Sequence, residues 1–284
     1  MPFDKKLFTT GWNDYELIDV GGTKKLERWG KVITIRPESQ AYFQSKKSHK
    51  EWREIANWEF KLSHKKNGKW LCLKENSPKE WTINYNSLVF NLKLTKFKHL
   101  GLFPEQKCNW DYILNNTTNK HSFLNLFAYT GAASCAAKSK KAKVYHVDSV
   151  KQIVSWANKN MISNSLNSIY WVNEDALKFA KREEKRTHTH DCIILDPPAW
   201  GFGVKKEWWK LETLLEELLL CCEKILKKNG YLILNTYSPS LDKKQLYQTI
   251  KHVFPNSKTS FFELWMRSSS NKELYFGNLV RIIK

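Results

Sequence analysis

The chain has 284 residues, 42% apolar and 14% aromatic, enough for a sizeable core in one large or two modest domains. No run approaches the roughly 18 apolar residues of a membrane-spanning helix, and the N-terminus lacks an apolar signal segment, so a soluble, cytoplasmic protein is expected. The 47 Lys and Arg against 28 Asp and Glu leave a formal charge of +19, which suits a polyanionic partner, nucleic acid above all.

Only seven of the 47 basic residues are Arg, a bias that an AT-rich genome would also write, so the charge supports RNA or DNA binding without proving it. Six cysteines (Cys72, Cys108, Cys135, Cys192, Cys221, Cys222) form no pair of CxxC motifs. They read as buried free thiols in a reducing compartment rather than as a zinc site.

Residues 1–98 read as a small β-rich domain. YELIDVGGTKKLERWGKVITIRPE suggests strands joined by a turn at Gly21-Gly22, and KWLCLKE, EWTINY and LVFNLKLTKF are further strands. KEWREIANWEF reads as a short helix. Trp12, Trp29, Trp52, Trp58, Trp70 and Trp81 are mostly core residues on this reading, with base stacking as the alternative for some.

Residues 99–284 alternate strand and helix. HSFLNLF, KVYHVD, SIYWVNED, DCIILD and YLILNTYS are the strands, and FFELWM and ELYFGNLVRII end the chain as two more. Helices fall on TGAASCAAKS, VKQIVSWANKNMISNSL, ALKFAKREEKR and KKQLYQTIKHVF. KEWWKLETLLEELLLCCEKILKKNG places Trp208, Leu211, Leu215, Leu218, Leu219, Cys222 and Leu226 on one helical face, with Gly230 as its C′ residue. Near-continuous apolar strands separated by helices indicate a parallel sheet covered on both faces.

In such a sheet the ligand sits beyond the carboxyl ends of the strands. After the first strand come Ala128, Tyr129, Thr130 and Gly131, where a glycine lets backbone pass close to a ligand before a helix opens. After the second comes Asp148, 17 residues beyond Gly131, placed to accept both hydroxyls of a ribose or to cap a helix. After the third come Glu174 and Asp175, an acceptor for an adenine amine or an ordinary N-cap. After the fourth comes Asp196-Pro197-Pro198-Ala199-Trp200. A ribose acid and an adenine acceptor, with neither GxGxxG nor a P-loop lysine, suggest adenosine without pyrophosphate. S-adenosylmethionine fits that description.

FLNLFAYTGAAS, HVDSV, the Asn160/Asn164 spacing, NEDALKF and DCIILDPPAWGFG resemble, in order, motifs I to IV of class I S-adenosylmethionine-dependent methyltransferases. The chain is most similar to the group containing the bacterial large-subunit rRNA enzymes that make 5-methylcytosine or 7-methylguanine. KHLGLFPEQKCNWDYI is similar to a segment of that group ending in an acid-Gln pair. The resemblance implies a Rossmann-like domain over 99–284 with a seven-stranded, mostly parallel sheet, preceded by the small domain. It implies that Tyr129, Thr130, Gly131 and Ser149 border the cofactor, that Asp148 holds its ribose, and that Asp175 takes its adenine amine. Asp196, Pro197 and Pro198 would line the pocket for methyl transfer, Trp200 would stack on an extruded base, and Phe103 and Gln106 would close one side. The prolines, lacking donors, would leave carbonyls free in a rigid loop.

Two departures narrow the chemistry. Ala199 separates the prolines from the aromatic, unlike enzymes acting on exocyclic amines. LNTYSPSL places Tyr237 or Ser238 where a 5-methylcytosine enzyme carries its cysteine, so direct transfer without covalent attack is expected, and no stable adduct with 5-fluorocytosine-containing RNA. The leading reading is an RNA methyltransferase, with rRNA as partner. A small-molecule or protein methyltransferase, and an RNA-binding protein with an inactive pocket, are the alternatives. Thr187-His188-Thr189-His190 reads as an exposed loop, and no metal is expected.

Overall fold

Apolar strands and amphipathic helices alternate along most of the chain, and the computed structural model, which describes residues 3, 5–63, 68–202 and 208–284, resolves them into two compact units. The first comprises the N-terminal residues through Leu7 with Cys108–Leu264 and Phe276–Lys284; the second comprises Phe8–Lys107 and Trp265–Tyr275. The chain opens on a short strand, β1 (Lys6–Thr9).

In the second unit β2 (Tyr15–Gly21), β3 (Lys24–Trp29) and β4 (Val32–Pro37) form an antiparallel meander. Gly21 pairs with Lys24, so Gly22 (φ 56°) and Thr23 (φ 61°) are the central residues of a primed hairpin turn. Helix α1 (His49–Ile55) starts in a capping box of Ser48 and Glu51, and it packs Trp52 and Ala56 on Leu26 and Ile35. The helix stops at Ala56. Trp58 and Phe60, read in sequence as its continuation, instead lie in β5 (Trp58–Leu62), which pairs parallel to β4 and antiparallel to β6 (Gly68–Cys72). A separate hairpin joins β7 (Glu80–Tyr85) to β8 (Leu88–Lys93). Trp12, Trp29, Trp52 and Trp58 are buried, and their indole N–H groups bond to Asn84 O, Thr34 Oγ1, Asp19 Oδ2 and Pro78 O. These four are packing residues.

An ion pair stands in the middle of this unit. The buried Glu27 carboxylate accepts bonds from Tyr15 Oη at 2.8 Å and from Arg36 Nε and Nη2, both at 2.7 Å. Burial alone would raise its pKa, but the charges of Arg36 and Lys25, with hydrogen bonds from Arg36 and Tyr15, hold it down at about 2.

The first unit follows from α2 (Lys107–Asn116). Its strands are β9 (Ser122–Leu126), β10 (Lys143–Asp148), β11 (Ile169–Asn173), β12 (His190–Leu195) and, beyond a small hairpin of β13 (Trp200–Phe202) and β14 (Trp208–Lys210), β15 (Leu226–Thr236). β16 (Lys258–Arg267) and β17 (Glu273–Ile283) complete one sheet, ordered β1-β16-β17-β15-β12-β9-β10-β11. From β15 to β11 every pairing is parallel, while β17 runs antiparallel to β15. The covered, mostly parallel sheet expected from the alternating pattern, and the Rossmann-like fold that the resemblance implies, are present. The sheet has eight strands rather than seven, because β1 adds itself beside β16 at the edge.

Helices α3 (Ala132–Ser139) and α4 (Lys151–Ser163) pack on one face; α5 (Ala176–Lys185), α6 (Leu211–Ile225) and α7 (Lys243–Val253) pack on the other. Leu211, Leu215, Leu218, Leu219 and Cys222 all reach the core under α6, as their spacing predicts. Trp208 does not. It precedes the helix in β14 and is 63% exposed, while Lys206 and Glu207 of the same reading lie outside the described residues. Gly230 is not a helix cap either. The helix ends at Ile225, the left-handed residue nearby is Asn229 (φ 62°), and a Cβ on Gly230 would sit 2.6 Å from Asp191 O.

Arg36→Ala leaves the Glu27 carboxylate buried with Lys25 as its remaining cation, and urea unfolding is expected to show a loss of about 3–5 kcal/mol at pH 7. Because the native pKa of Glu27 lies below its ordinary value of 4.5, its contribution is complete above that pH and is lost as pH falls toward 2. The difference between wild type and variant should shrink over the same range.

Candidate active site

The strand registers build the site. Leu126 of β9 pairs with Val147 of β10 and with Leu195 of β12, and Leu195 pairs with Leu234 of β15. One residue further along each chain stand Phe127, Asp148, Asp196 and Asn235, with Asn173 of β11 directly beside Asp148. Two of the expected acids, Asp148 and Asp196, therefore share one row at the carboxyl edge of the sheet, where the strand order reverses around β9, while Asp175 lies two residues beyond Asn173.

The turn after β9 is strained. Phe127 (φ 54°), Tyr129 (φ 50°) and Gly131 (φ 82°) all have left-handed backbone, a costly conformation for the two aromatic residues. The surroundings hold it in place. Ala128 N donates to Val147 O at 3.0 Å, Tyr129 N to Asp148 Oδ2 at 2.9 Å, and Asn160 Nδ2 to Thr130 O at 2.9 Å. Asn164 Nδ2 in turn bonds Asn160 O at 2.7 Å, which gives the Asn160/Asn164 spacing its use. Gly131 is required twice: by its φ, and because a Cβ there would lie 3.0 Å from Ala157 Cβ and 3.3 Å from the His146 ring. Beneath the turn a buried chain runs from Asn125 Nδ2 to Ser134 Oγ (2.9 Å) and on to His146 Nδ1 (3.0 Å). Burial lowers the His146 pKa to about 3, so the imidazole is neutral at any working pH.

Asp148 receives one amide on each oxygen, Tyr129 N on Oδ2 and Val150 N on Oδ1, both at 2.9 Å. Burial nevertheless pushes its pKa above the usual value, against the lowering effect of those amides. Each carboxylate oxygen keeps a second lone pair for an incoming donor, which suits a vicinal diol. Ser149 follows, half-buried, between β10 and α4. Asp175 caps α5: its Oδ1 accepts Lys178 N at 2.9 Å, so the N-cap reading of this residue holds and any amine would meet its other oxygen. Glu174 pairs with Arg182 at 2.5 Å.

Asp196 lies partly buried, with Asn235 Nδ2 donating to its Oδ1 at 3.1 Å. Burial raises its pKa to about 6 despite that bond. Pro197 is buried and Pro198 exposed. Their loop is tied down, but not with free carbonyls as expected: Pro198 O accepts the Trp209 indole N–H at 2.7 Å, and Ala199 O accepts Leu211 N at 3.0 Å. The Trp209 ring also packs 4.8 Å from Phe127, joining the two loops. Trp200 is 51% exposed, so it is not a core residue packed beneath the loop. Gly203, the last residue of the quoted motif, lies outside the described residues.

Phe103 and Gln106 belong to the second unit, where Phe103 precedes a short 3-10 turn (Pro104–Gln106) and Gln106 is buried. Ser238 donates to Glu212 Oε1 at 2.8 Å. Burial pushes the thiols of Cys135 and Cys192 up to about 12, far from a thiolate. Sequence reasoning missed Asn235 and the strain at Phe127. The signal for Asn235 was a polar residue closing the apolar run YLIL.

A carboxyl held about two pH units high costs on the order of 3 kcal/mol when ionised. The native pKa of Asp196 exceeds its unfolded value, so stability is lost as pH rises from about 4 to about 6. Asp196→Asn is expected to be the more stable protein at pH 7.5 by roughly that amount, with no advantage below pH 4, as read by thermal unfolding across pH.

A family model described as conserved hypothetical protein 95 matches residues 108–262. The crystal structure of an S-adenosylmethionine-dependent methyltransferase from Agrobacterium tumefaciens is similar with a TM-score of 0.90 and 30% identity, over 98% of this chain and 92% of that one. Among curated proteins, ribosomal RNA large subunit methyltransferase K/L of Hahella chejuensis is 33% identical over 135 residues, 47% of this chain and 18% of that protein. Its counterpart in Pseudoalteromonas translucida is 34% identical over 148 residues, 51% of this chain and 20% of that protein. The chain thus spans about a fifth of the length of the curated relatives it matches.

Proposed function

Since the chain belongs to the conserved hypothetical protein 95 family and to the S-adenosylmethionine-dependent methyltransferases, we propose that it methylates a base of RNA, ribosomal RNA first, by direct displacement. The observation that carries this reading is the Asp148 carboxylate, fixed by two amides beside the Gly131 turn with lone pairs to spare. When bound, S-adenosylmethionine supplies an electrophilic methyl group. Asp148 would hold the ribose hydroxyls, Asp175 the adenine amine, and Tyr129, Thr130 and Ser149 the adjoining edges. Gly131 lets the backbone come close. Asp196, Pro197 and Pro198 would orient the acceptor base in line with the methyl group, with Trp200 stacked on it.

S-adenosylmethionine held by these residues would supply the methyl group with its sulfur as the leaving group, and Asp196, Pro197 and Pro198 would hold the accepting base beside it. No side-chain nucleophile is needed, which agrees with the absence of cysteine from LNTYSPSL.

RNA as substrate is supported by the +19 charge and by the names of the curated relatives. The proposal extends to residues 1–98 as an RNA-positioning domain and 99–284 as the catalytic one. Residues 1–100 carry 20 Lys and Arg against 11 Asp and Glu. Six free cysteines support a cytoplasmic setting. Among the described residues no helix is long and apolar enough to cross a membrane.

Calorimetry should show micromolar binding of S-adenosylmethionine to the wild type. Two hydrogen bonds to a charged acceptor contribute about 1.5–3 kcal/mol each, so Asp148→Ala should weaken binding ~100-fold or more. Tritium from labelled cofactor should appear in rRNA with wild type and not with the variant. Cofactor binding without transfer to RNA would favour a small-molecule or protein substrate.

A further inference from the structure

The stretch Thr187-His188-Thr189-His190, read from sequence as an exposed loop, is not one: His190 is fully buried at the start of β12, and His188 is half-buried. Both imidazoles converge on Glu183, a buried carboxylate in the last turn of α5. We propose that Glu183, His188 and His190 bind a divalent transition metal, zinc in the first instance.

The side chains are posed for it. One carboxylate oxygen, Glu183 Oε2, lies 2.5 Å from His188 Nδ1 and 3.4 Å from His190 Nε2, and the three ligand atoms all fall within 4.8 Å of one another. The other oxygen, Oε1, is 3.8 Å from Arg186 Nη1, so the carboxylate offers a single oxygen to the histidines. Ser122 Oγ sits 2.9 Å from His190 Nδ1 and fixes that ring. An outer partner of this kind orients the imidazole of a metal ligand and settles which nitrogen binds. The nitrogen left over, His190 Nε2, is buried, aimed at Glu183, and has no hydrogen-bond partner. In the tautomer whose proton lies on Nδ1, toward Ser122 Oγ, Nε2 presents a buried lone pair to a buried carboxylate oxygen, and a cation between them satisfies both.

The distances match zinc. Bonds of about 2.0–2.1 Å in a tetrahedron put neighbouring ligand atoms roughly 3.3 Å apart. The His190–Glu183 separation of 3.4 Å already meets this. His188 stands closer, and its partly exposed side chain can swing outward by about 1 Å as metal displaces the proton that it shares with Glu183. The Tyr145 ring, 5.4 Å from His188 and 5.1 Å from His190, walls the cluster on one side. Two nitrogens and one oxygen suit zinc, and they do not suit magnesium or calcium, which prefer all-oxygen shells.

The site stands at the opposite end of β12 from Asp196, a strand of six residues or about 20 Å. It therefore lies apart from the proposed methyl-transfer pocket, and its role is to pin the end of α5 to the start of β12.

The test is calorimetric titration of the metal-stripped full chain with Zn²⁺, beside His188→Ala, Glu183→Gln and a control, His252→Ala, in which an exposed histidine far along the sequence is removed. One equivalent should bind at micromolar concentration or tighter. Affinity should fall about tenfold or more in the first two variants and stay unchanged in the control. Zn²⁺ should raise the melting temperature of wild type but not of His188→Ala, and Mg²⁺ should raise neither. X-ray absorption of the zinc-loaded protein should show two imidazoles. Because His188 is partly exposed, its variant folds even if replacements of His190 do not. No saturable binding, or binding that His188→Ala and Glu183→Gln leave intact, would overturn the proposal.

Discussion

Parallel pairing in register is the constraint on which everything else at the site depends. Once Leu126, Val147, Leu195 and Leu234 are paired across four strands, the next residues have no choice of position. Asp148, Asp196 and Asn235 must emerge together at one edge. A slip of one residue in any strand would turn its apolar side chains to the wrong face and take its acid out of the row. The core under α5, α6 and α7, with the buried leucines of β9, β12 and β15, enforces the register. Packing energy is thus the source of the site's geometry, although no core leucine takes part in the proposed chemistry.

The same edge is where the fold tolerates local cost. Two aromatic residues adopt left-handed backbone, and two carboxyls are held above their usual pKa by burial. Each is expensive alone. They persist because amides, Asn160, Asn235 and the Trp209 clasp over-determine them. Strain and desolvation that meet at one edge of the sheet are what a pre-organised binding site looks like.

Much of this was legible in the residues. The strands of the parallel sheet could be read because they are short apolar runs between helical periodicities, and ELYFGNLVRII coincides with β17. Asp148 and Asp196 could be read because each ends such a run. What could not be read depended on partners distant in sequence. β1 is four residues long and exists as a strand only because β16 offers it an edge. Trp208 fits the helical period of α6, yet it falls in a hairpin strand paired with Phe202. The tie from Trp209 to Pro198 O joins side chain to backbone across 11 positions and leaves no pattern. The pairing of Glu183 with two histidines was invisible for the same reason: alternation in THTH looks like a loop until β12 buries its end.

The central claim is that the row at the carboxyl edge of β9, β10 and β12 is the cofactor pocket of a methyltransferase. The most direct measurement is a crystal structure of the full chain with S-adenosylhomocysteine. The account places the ribose hydroxyls on the Asp148 carboxylate and the sulfur between the Gly131 turn and Asp196-Pro197-Pro198. Ligand density anywhere else, with Asp148 still bonded only to Tyr129 N and Val150 N, would contradict it.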